Sequence, residues 1–149
     1  NDHSLAGVVG VINVDMFGYD SNDDRCFELH VGTLAASDKV GQCFVDSIQA
    51  YNINLKHDYL TSTATNLSDH SSFWGKQVGA VEVLENFFQD NIASGCTGID
   101  RNPYYHTTSD TFDRIRLPFA FDVARAAVAA TISLANLKYN EYYIPLVKN

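Results

Sequence analysis

Basic residues are scarce in this sequence. Its 149 residues include 10 Lys and Arg against 18 Asp and Glu, which gives a formal net charge of −8 at pH 7. A protein that binds nucleic acid usually presents a basic surface to the phosphates, and an acidic chain repels a polyanion on average. We therefore expect no nucleic-acid partner.

Long apolar runs and metal-type cysteine spacings are also missing. No uninterrupted apolar stretch approaches the ~18 residues that a membrane span needs, so we expect no membrane partner. The three cysteines form no Cys-x-x-Cys pair, which argues against a structural zinc site, and an odd number cannot all pair within the chain. Cys26 and Cys43 fall in apolar patterns typical of buried thiols, whereas Cys96, in a glycine-containing loop, is expected to be exposed.

The sequence does contain alternating strand and helix patterns. A nearly continuous apolar run over residues 5–17 predicts a strand buried on both faces, and residues 26–31 alternate as a half-buried strand does. Two further strands are predicted at 53–60 and 80–84. Three helices are predicted at 34–51, at 68–75 and from Leu117 onward. This order indicates an α/β fold with a mixed, mostly parallel sheet flanked by helices on both faces.

Two carboxylates and a histidine follow predicted strands. Asp15 and Glu85 each close an apolar strand, and a long loop after the last strand leads to His106. Ligands of open α/β sheets gather beyond the carboxyl ends of the strands. A buried carboxylate needs a cation, a metal ion or several donors, so Asp15 predicts either a metal ligand or a structural cap or Arg pair. His106 is a metal ligand or a surface residue, with Asp110 as a candidate to fix its tautomer.

The segment Ser68-Asp69-His70 opens a predicted short helix. Neighbouring residues on a helix point in different directions, so Asp69 and His70 are not expected to bind one ion. We expect Ser68 and Asp69 to accept from free backbone N–H groups, and His70 to order the loops beneath the site. The remaining histidines, His30 among them, receive no functional assignment.

Three segments together resemble a known family. They are 11–19 (Val-Ile-Asn-Val-Asp-Met-Phe-Gly-Tyr), 68–73 (Ser-Asp-His-Ser-Ser-Phe) and 102–111 (Asn-Pro-Tyr-Tyr-His-Thr-Thr-Ser-Asp-Thr). Their order and spacing are similar to the zinc aminopeptidases and carboxypeptidases of the bacterial leucyl aminopeptidase type, a family that includes the glutaminyl cyclases. The resemblance extends from Val8 to about Leu137.

This resemblance implies an activity and a set of site residues. It implies peptide hydrolysis by a metal-activated water at a centre of two zinc ions, with Asp15 and His106 as metal ligands. Met16 and Tyr105, beside these ligands, match positions that line the specificity pocket, and Leu84 is a further candidate. Glu85 is expected to support the ligands without binding the metal.

The family's other catalytic elements are not found in this sequence. A His-x-Asp segment, whose Asp bridges the two metals, and a Glu-Glu pair, which supplies the general base, occur nowhere in the 149 residues. Residues 1–149 are therefore expected to be the C-terminal portion of a single zinc peptidase catalytic domain, without its N-terminal portion and without a catalytic residue of its own.

Several expectations follow for the behaviour of such a chain. It should be inactive alone, bind zinc incompletely, and associate with the missing half of the domain or with itself. Two alternatives stay open: a peptidase-like scaffold without activity, and acyl transfer of the glutaminyl-cyclase type. A secreted or periplasmic location is expected because such enzymes are frequently exported.

Overall fold

The computed structural model describes residues 4–88, 96 and 98–135 of the chain. In chain order, these residues contain the elements β1 (Val11–Val14), β2 (Cys26–His30), α1 (Ala35–Ala50), β3 (Lys56–Leu60), α2 (His70–Trp74), β4 (Ala80–Glu85) and α3 (Leu117–Leu134), with a 3₁₀ turn at Phe112–Arg114 before α3. Each predicted strand and helix is present, with boundaries that differ by a few residues.

The four strands form one sheet in the order β1-β4-β2-β3. β1 runs parallel to β4, and β2 runs parallel to β3, while β2 and β4 are antiparallel. Two of the three pairings are therefore parallel, which confirms the mixed, mostly parallel sheet. Because β1 and β4 are parallel neighbours, their carboxyl ends meet at one edge, where Asp15 and Glu85 follow or close them.

The main core lies between one face of the sheet and the helices α1 and α3. Residues two apart on a strand share a face, and alternate residues of β2 and β4 fill this core: Phe27, Leu29, Val81 and Val83. The two helices contribute fully or almost fully buried side chains: Val40, Phe44, Phe119, Val123, Ala126 and Ala130. The rings of Phe27 and Phe44 meet edge to face with centroids 5.7 Å apart, which joins sheet and helix.

The prediction of a half-buried strand for β2 was wrong. All five residues of β2 are buried, and Glu28 and His30 on the second face are 0% exposed. The short helix α2 and the loop before it pack over this second face, so the polar side chains of β2 point into the protein. The alternation of polar and apolar residues in β2 indicated that its polar face is exposed to solvent, but the fold buries this face as a polar cluster.

The prediction that β1 is buried on both faces was also wrong within the described residues. β1 lies at the edge of the sheet with β4 as its neighbour, and its four residues are all half-buried. A strand so apolar is typical of the middle of a sheet. Within the part of the chain that the structure describes, β1 therefore offers an unpaired backbone edge together with apolar side chains.

Helix α3 combines a core stripe with an exposed apolar face. Phe119, Val123 and Ala130 form part of the core stripe and are buried. Leu117, Phe121 and Val128 are exposed. With a mean hydropathy of 1.4 over 18 residues, α3 is long and apolar enough to cross a membrane, contrary to our expectation of no such segment. Since its core stripe packs on the sheet and α1, the length and composition of α3 are also those of a core helix.

The cysteine predictions were wrong for the exposure of Cys96 and for Cys26 as a free thiol. Cys96 is buried and forms a disulfide with Cys26, with a Cα–Cα distance of 5.7 Å. The two residues are 70 positions apart, so only the folded sheet brings the start of β2 next to the loop after β4. Cys43 on α1 is the free, half-buried thiol.

Candidate metal centre

Asp15 extends from the carboxyl end of β1 and is oriented by two polar neighbours. Its N–H donates to the Val83 carbonyl at 3.0 Å, which continues the pairing with β4. Its Oδ2 accepts from the Ser68 hydroxyl at 2.9 Å, and that hydroxyl accepts from Asn13 Nδ2 at 2.8 Å. Among the described residues, no Arg or Lys pairs with Asp15, and no hydrogen bond reaches its Oδ1. One carboxylate oxygen is held in place, and the other is left for a cation.

Ser68 thus has a different partner from the one we predicted. It was expected to accept from backbone N–H groups at the start of α2, but it donates to Asp15. Asp69 has helical backbone angles, and its exposed side chain makes no capping hydrogen bond. In the folded protein, Ser68 therefore contacts the carboxylate of Asp15, and neither Ser68 nor Asp69 caps α2 with its side chain.

Replacing Ser68 with alanine should weaken metal binding in a complete domain. The change removes the donor that orients Asp15 and leaves Asn13 Nδ2 without its acceptor, and such supporting contacts are typically worth a ten- to hundredfold change in metal affinity, so we expect roughly that loss. Competition with a zinc chelator measures it. Ser72→Ala, at an exposed position of α2, is the matched control; equal affinities of the two variants would contradict the assignment.

His106 lies on a tightly bonded loop with its ring exposed. Its backbone has φ 58°, a left-handed conformation that costs a non-glycine residue roughly 1–2 kcal/mol. The ring stacks on Tyr105 with centroids 3.8 Å apart. Among the described residues, its nitrogens accept or donate no hydrogen bond. The loop therefore presents the imidazole outward as an available ligand.

Asp110 does not approach the ring of His106 as a hydrogen-bond partner. Its Oδ1 accepts from Asn102 Nδ2 at 3.4 Å, and Asn102 Oδ1 accepts from the Tyr104 N–H at 2.9 Å. Asp110 and Asn102 hold the two sides of the loop that carries His106. Asp110 therefore stabilises the loop through Asn102, and the predicted hydrogen bond between Asp110 and the imidazole of His106 is not formed.

Glu85 joins the two segments on either side of the site. It is 2% exposed and accepts from the N–H groups of Gly18 at 3.2 Å and Tyr19 at 2.8 Å, while its own N–H donates to Met16 O at 2.8 Å. Burial raises the pKa of the Glu85 carboxyl to about 7, although these donors, and a hydrogen bond from Asn102, lower it. Glu85 is thus a buried acid that fixes the chain just after Asp15.

The raised pKa of Glu85 makes the stability of the protein pH-dependent. The folded state holds this proton up to about pH 7, whereas the unfolded state releases it near 4.5, so the free energy of unfolding falls as the pH rises through this window. The full difference is roughly 3 kcal/mol. We expect Glu85→Gln to remove this part of the pH dependence, as measured by urea unfolding at pH 5 and pH 8. Asp46→Asn on the exposed side of α1 should keep it; an unchanged slope in the glutamine variant would contradict the assignment.

A cleft of about 560 Å³ lies beside the candidate ligands. Met16, Glu85 and Tyr105 line it together with the apolar side chains Phe17, Phe112, Ile115 and Leu117. Asp15 and His106 are each the sequence neighbour of a lining residue, so the fold brings the two ligand-bearing segments to one cleft. Leu84, which we predicted for the pocket, is buried inside the sheet. Met16 has φ 47°, which turns the chain from the strand into the cleft.

A buried polar cluster lies beneath the site on the second face of the sheet. His70 Nδ1 is 3.6 Å from Glu82 Oε2, and neither atom has a hydrogen-bond partner. Burial lowers the pKa of His70 and raises the pKa of Glu82, which favours the uncharged forms of both. His70 Nε2 also donates to the carbonyl of Thr65 in the loop before α2, at 2.9 Å. Sequence reasoning missed His30, although the spacing Glu28-x-His30 places an acid and an imidazole on one strand face.

The donor set present fits part of a zinc site. A carboxylate oxygen and an imidazole nitrogen are ordinary zinc ligands, but a catalytic zinc normally has three protein ligands and an open position. Among the described ranges, no third His, Cys, Asp or Glu joins Asp15 and His106 in a ligand cluster. The one cluster of three there, Cys26, Asp58 and Cys96, has both sulfurs in the disulfide. Asp15 and His106 would supply two of the donors that such a site needs.

The sheet, the cleft and the strand-end carboxylate define an α/β domain with a candidate metal ligand beside a cleft. The model of peptidase family M28 matches residues 1–131. The chain therefore belongs to peptidase family M28. No curated protein sequence matches it significantly.

Solved aminopeptidase structures resemble the chain over most of its length. The Legionella pneumophila LapA aminopeptidase is 28% identical with a TM-score of 0.62, and the match covers 85% of this chain and 31% of LapA. BSAP, a zinc aminopeptidase from Bacillus subtilis, is 19% identical with a TM-score of 0.60, covering 83% of this chain and 27% of BSAP, and it supports the fold alone. The chain thus spans about a third of the length of these enzymes.

Proposed function

We propose that this chain is the C-terminal portion of the catalytic domain of a zinc-dependent exopeptidase, an aminopeptidase that hydrolyses N-terminal peptide bonds. The observation that carries the proposal is the Asp15 carboxylate, which Ser68 holds at the carboxyl end of β1 beside the cleft. Membership of family M28 and the likeness to LapA support a peptidase.

Asp15 and His106 are the residues that we propose to bind zinc, in a centre of two ions in the complete domain. A bound zinc ion would supply a water of lowered pKa and polarise the scissile carbonyl. Asp15 offers Oδ1 while Ser68 holds Oδ2, and His106 offers an exposed ring supported by Tyr105. The general base and the remaining ligands come from outside this chain.

The cleft is the proposed place for the side chain of the substrate's first residue. Its walls are mostly apolar and aromatic, and Glu85 fixes the backbone of Gly18 and Tyr19 at its floor. An apolar wall of this kind favours an apolar or aromatic side chain. Met16 and Tyr105 bring this wall next to the proposed ligands.

We also propose that the rest of the domain covers the free edge of β1. β1 has an apolar sequence and, among the described residues, no strand on its outer side, and the neighbouring α3 exposes Leu117, Phe121 and Val128. A further strand and helix would bury both surfaces. Self-association of the 149-residue chain through the same surface is the expected substitute when the partner is missing.

The decisive experiment compares the 149-residue chain with the complete domain. We expect the chain alone to release no aminoacyl anilide above background and to bind zinc weakly, because it carries two ligands and no general base. The complete domain should hydrolyse leucyl substrates and lose this activity on chelation. Efficient hydrolysis by the isolated chain would contradict the proposal, and cyclisation of N-terminal Gln peptides without hydrolysis would indicate the cyclase chemistry instead.

Export from the cytoplasm is part of the proposal. The disulfide Cys26–Cys96 supports it, since disulfides persist in oxidising compartments and are rare in the cytosol. Recovery of the protein from the extracellular or periplasmic fraction of its source cells is the expected result. Recovery only from the cytosol, with free thiols, would contradict it.

A further inference from the structure

The backbone of Thr65 lies between two buried histidines. Its N–H donates to His30 Nδ1 at 2.9 Å, and its carbonyl oxygen accepts from His70 Nε2 at 2.9 Å. Both imidazole rings are fully buried. Both backbone polar groups of one loop residue are therefore bonded to side chains from the second face of the sheet and from α2.

These two bonds fix which ring nitrogens carry protons. A backbone N–H can only donate, so His30 Nδ1 must be an unprotonated acceptor, and its Nε2–H then donates to Glu28 Oε2 at 2.8 Å. A carbonyl oxygen can only accept, so His70 Nε2 must carry a proton. The geometry thus places a proton on Nε2 of both rings and none on Nδ1 of His30.

Each histidine is in turn fixed to the sheet. Glu28, the partner of His30, uses its other carboxylate oxygen to accept from the N–H groups of Phe87 and Phe88, which follow β4. His70 meets Trp74 edge to face at 4.5 Å, and Trp74 Nε1 donates to the carbonyl of Ala80 in β4. The two imidazoles are therefore rigid supports rather than mobile side chains.

The loop between Thr65 and Ser68 has few other attachments to the body of the protein. Asn66 is exposed, and Leu67 is 77% exposed at the tip. Thr65 Oγ1 accepts from the Leu67 N–H at 3.3 Å, which bends the chain toward Ser68. The Ser68 hydroxyl, which contacts Asp15 at 2.9 Å and Asn13 Nδ2 at 2.8 Å, lies only three residues after the Thr65 backbone.

We propose that His30 and His70 are positioning residues that clamp the backbone of Thr65 and so hold the Ser68 hydroxyl against Asp15. The clamp itself is independent of the proposed function. Only its consequence for metal affinity rests on that function, through Asp15.

The wild-type chain tests the clamp directly by NMR. In a ¹⁵N-labelled sample, we expect a scalar coupling across the hydrogen bond between the Thr65 amide nitrogen and His30 Nδ1. The ring nitrogen shifts should show a bare Nδ1 on His30 and a protonated Nε2 on both rings. A protonated His30 Nδ1, or no coupling to Thr65, would overturn the proposal without any substitution.

A crossed set of variants separates the clamp from mere packing. Asparagine places its amide near the Nδ1 position of histidine, and glutamine places it near Nε2. His30→Asn should keep the acceptor for the Thr65 N–H, and His30→Gln should lose it. At position 70, His70→Gln should keep the donor to the Thr65 carbonyl, and His70→Asn should lose it. In the two losing variants, we expect amide exchange over residues 65–68 to accelerate about tenfold.

The same variants in the complete domain test the consequence at the site. Zinc affinity should fall in His30→Gln and His70→Asn, and the partner variants should retain more of it. Equal exchange rates for asparagine and glutamine at each position would show a packing role and overturn the clamp. A clamp confirmed by exchange, with zinc affinity unchanged throughout, would reject its link to Asp15, and a complete domain that binds no zinc would instead reject the proposed function.

Discussion

Replacing Asp15 with alanine is expected to abolish zinc-dependent peptidase activity in the complete domain. Asp15 ends β1, one oxygen is held by Ser68, and the other is available to a cation. Loss of a metal ligand removes several kcal/mol of transition-state stabilisation; about 4 kcal/mol corresponds to roughly a thousandfold fall in kcat/KM. Steady-state hydrolysis of a leucyl anilide, with zinc content measured in the same samples, is the appropriate assay.

Asp15→Asn refines this experiment. The amide oxygen can still accept from Ser68, so the fold of the loop should be kept while the negative charge is lost. We expect activity between that of the wild type and that of the alanine variant, with unchanged urea unfolding. Asp46→Asn, on the exposed side of α1, serves as the charge control. An alanine variant with wild-type activity and zinc content would show that Asp15 is not a ligand.

Loss of the Cys26–Cys96 disulfide is expected to cause the largest change in stability. The bond closes a loop of 70 residues, and the loss of chain entropy in the unfolded state gives about 4 kcal/mol for a loop of this length. Cys26→Ala/Cys96→Ala should therefore unfold at a much lower urea concentration than the wild type. The same shift should appear in the wild type after reduction.

The free cysteine provides the control for that measurement. Cys43 is half-buried on α1 and takes no part in the disulfide, so Cys43→Ala should unfold close to the wild-type midpoint. Insensitivity of the wild type to reductant, with two further thiols titratable in the unfolded protein, would show that the bond does not form.

The candidate ligands were accessible from the sequence because three ordered segments together resemble a known family, whereas Asp15 and His106 alone each left a structural alternative open. Asp15 ends an apolar strand, and His106 lies in a loop dense in proline, tyrosine and threonine. Their partners carry weaker signals. Ser68 looks like a helix cap, and Asp110 looks like a partner of His106, because local sequence offers each a plausible neighbour within a few residues. The actual partners, Asp15 for Ser68 and Asn102 for Asp110, follow from how the loops pack.

His30 shows the same limit in a buried setting. An alternating strand predicts one buried face and one solvent-exposed face. Residues 26–31 contain no signal that α2 and its preceding loop will cover the polar face. Once covered, Glu28 and His30 must find partners, since an unpaired buried polar group is costly. They find them in Phe87, Phe88 and Thr65, which lie far away in sequence.

The sequence by itself determined the order of strands and helices and the mixed α/β class, because periodicity is a property of short segments. It pointed to the two candidate metal ligands only through the family resemblance of three ordered segments. Only the tertiary structure decided the edge position of β1, the disulfide Cys26–Cys96, the contact of Ser68 with Asp15 and the histidine clamp on Thr65. These features join segments tens of residues apart. Such distances are set by the packing of the whole sheet and its helices, which no short segment encodes.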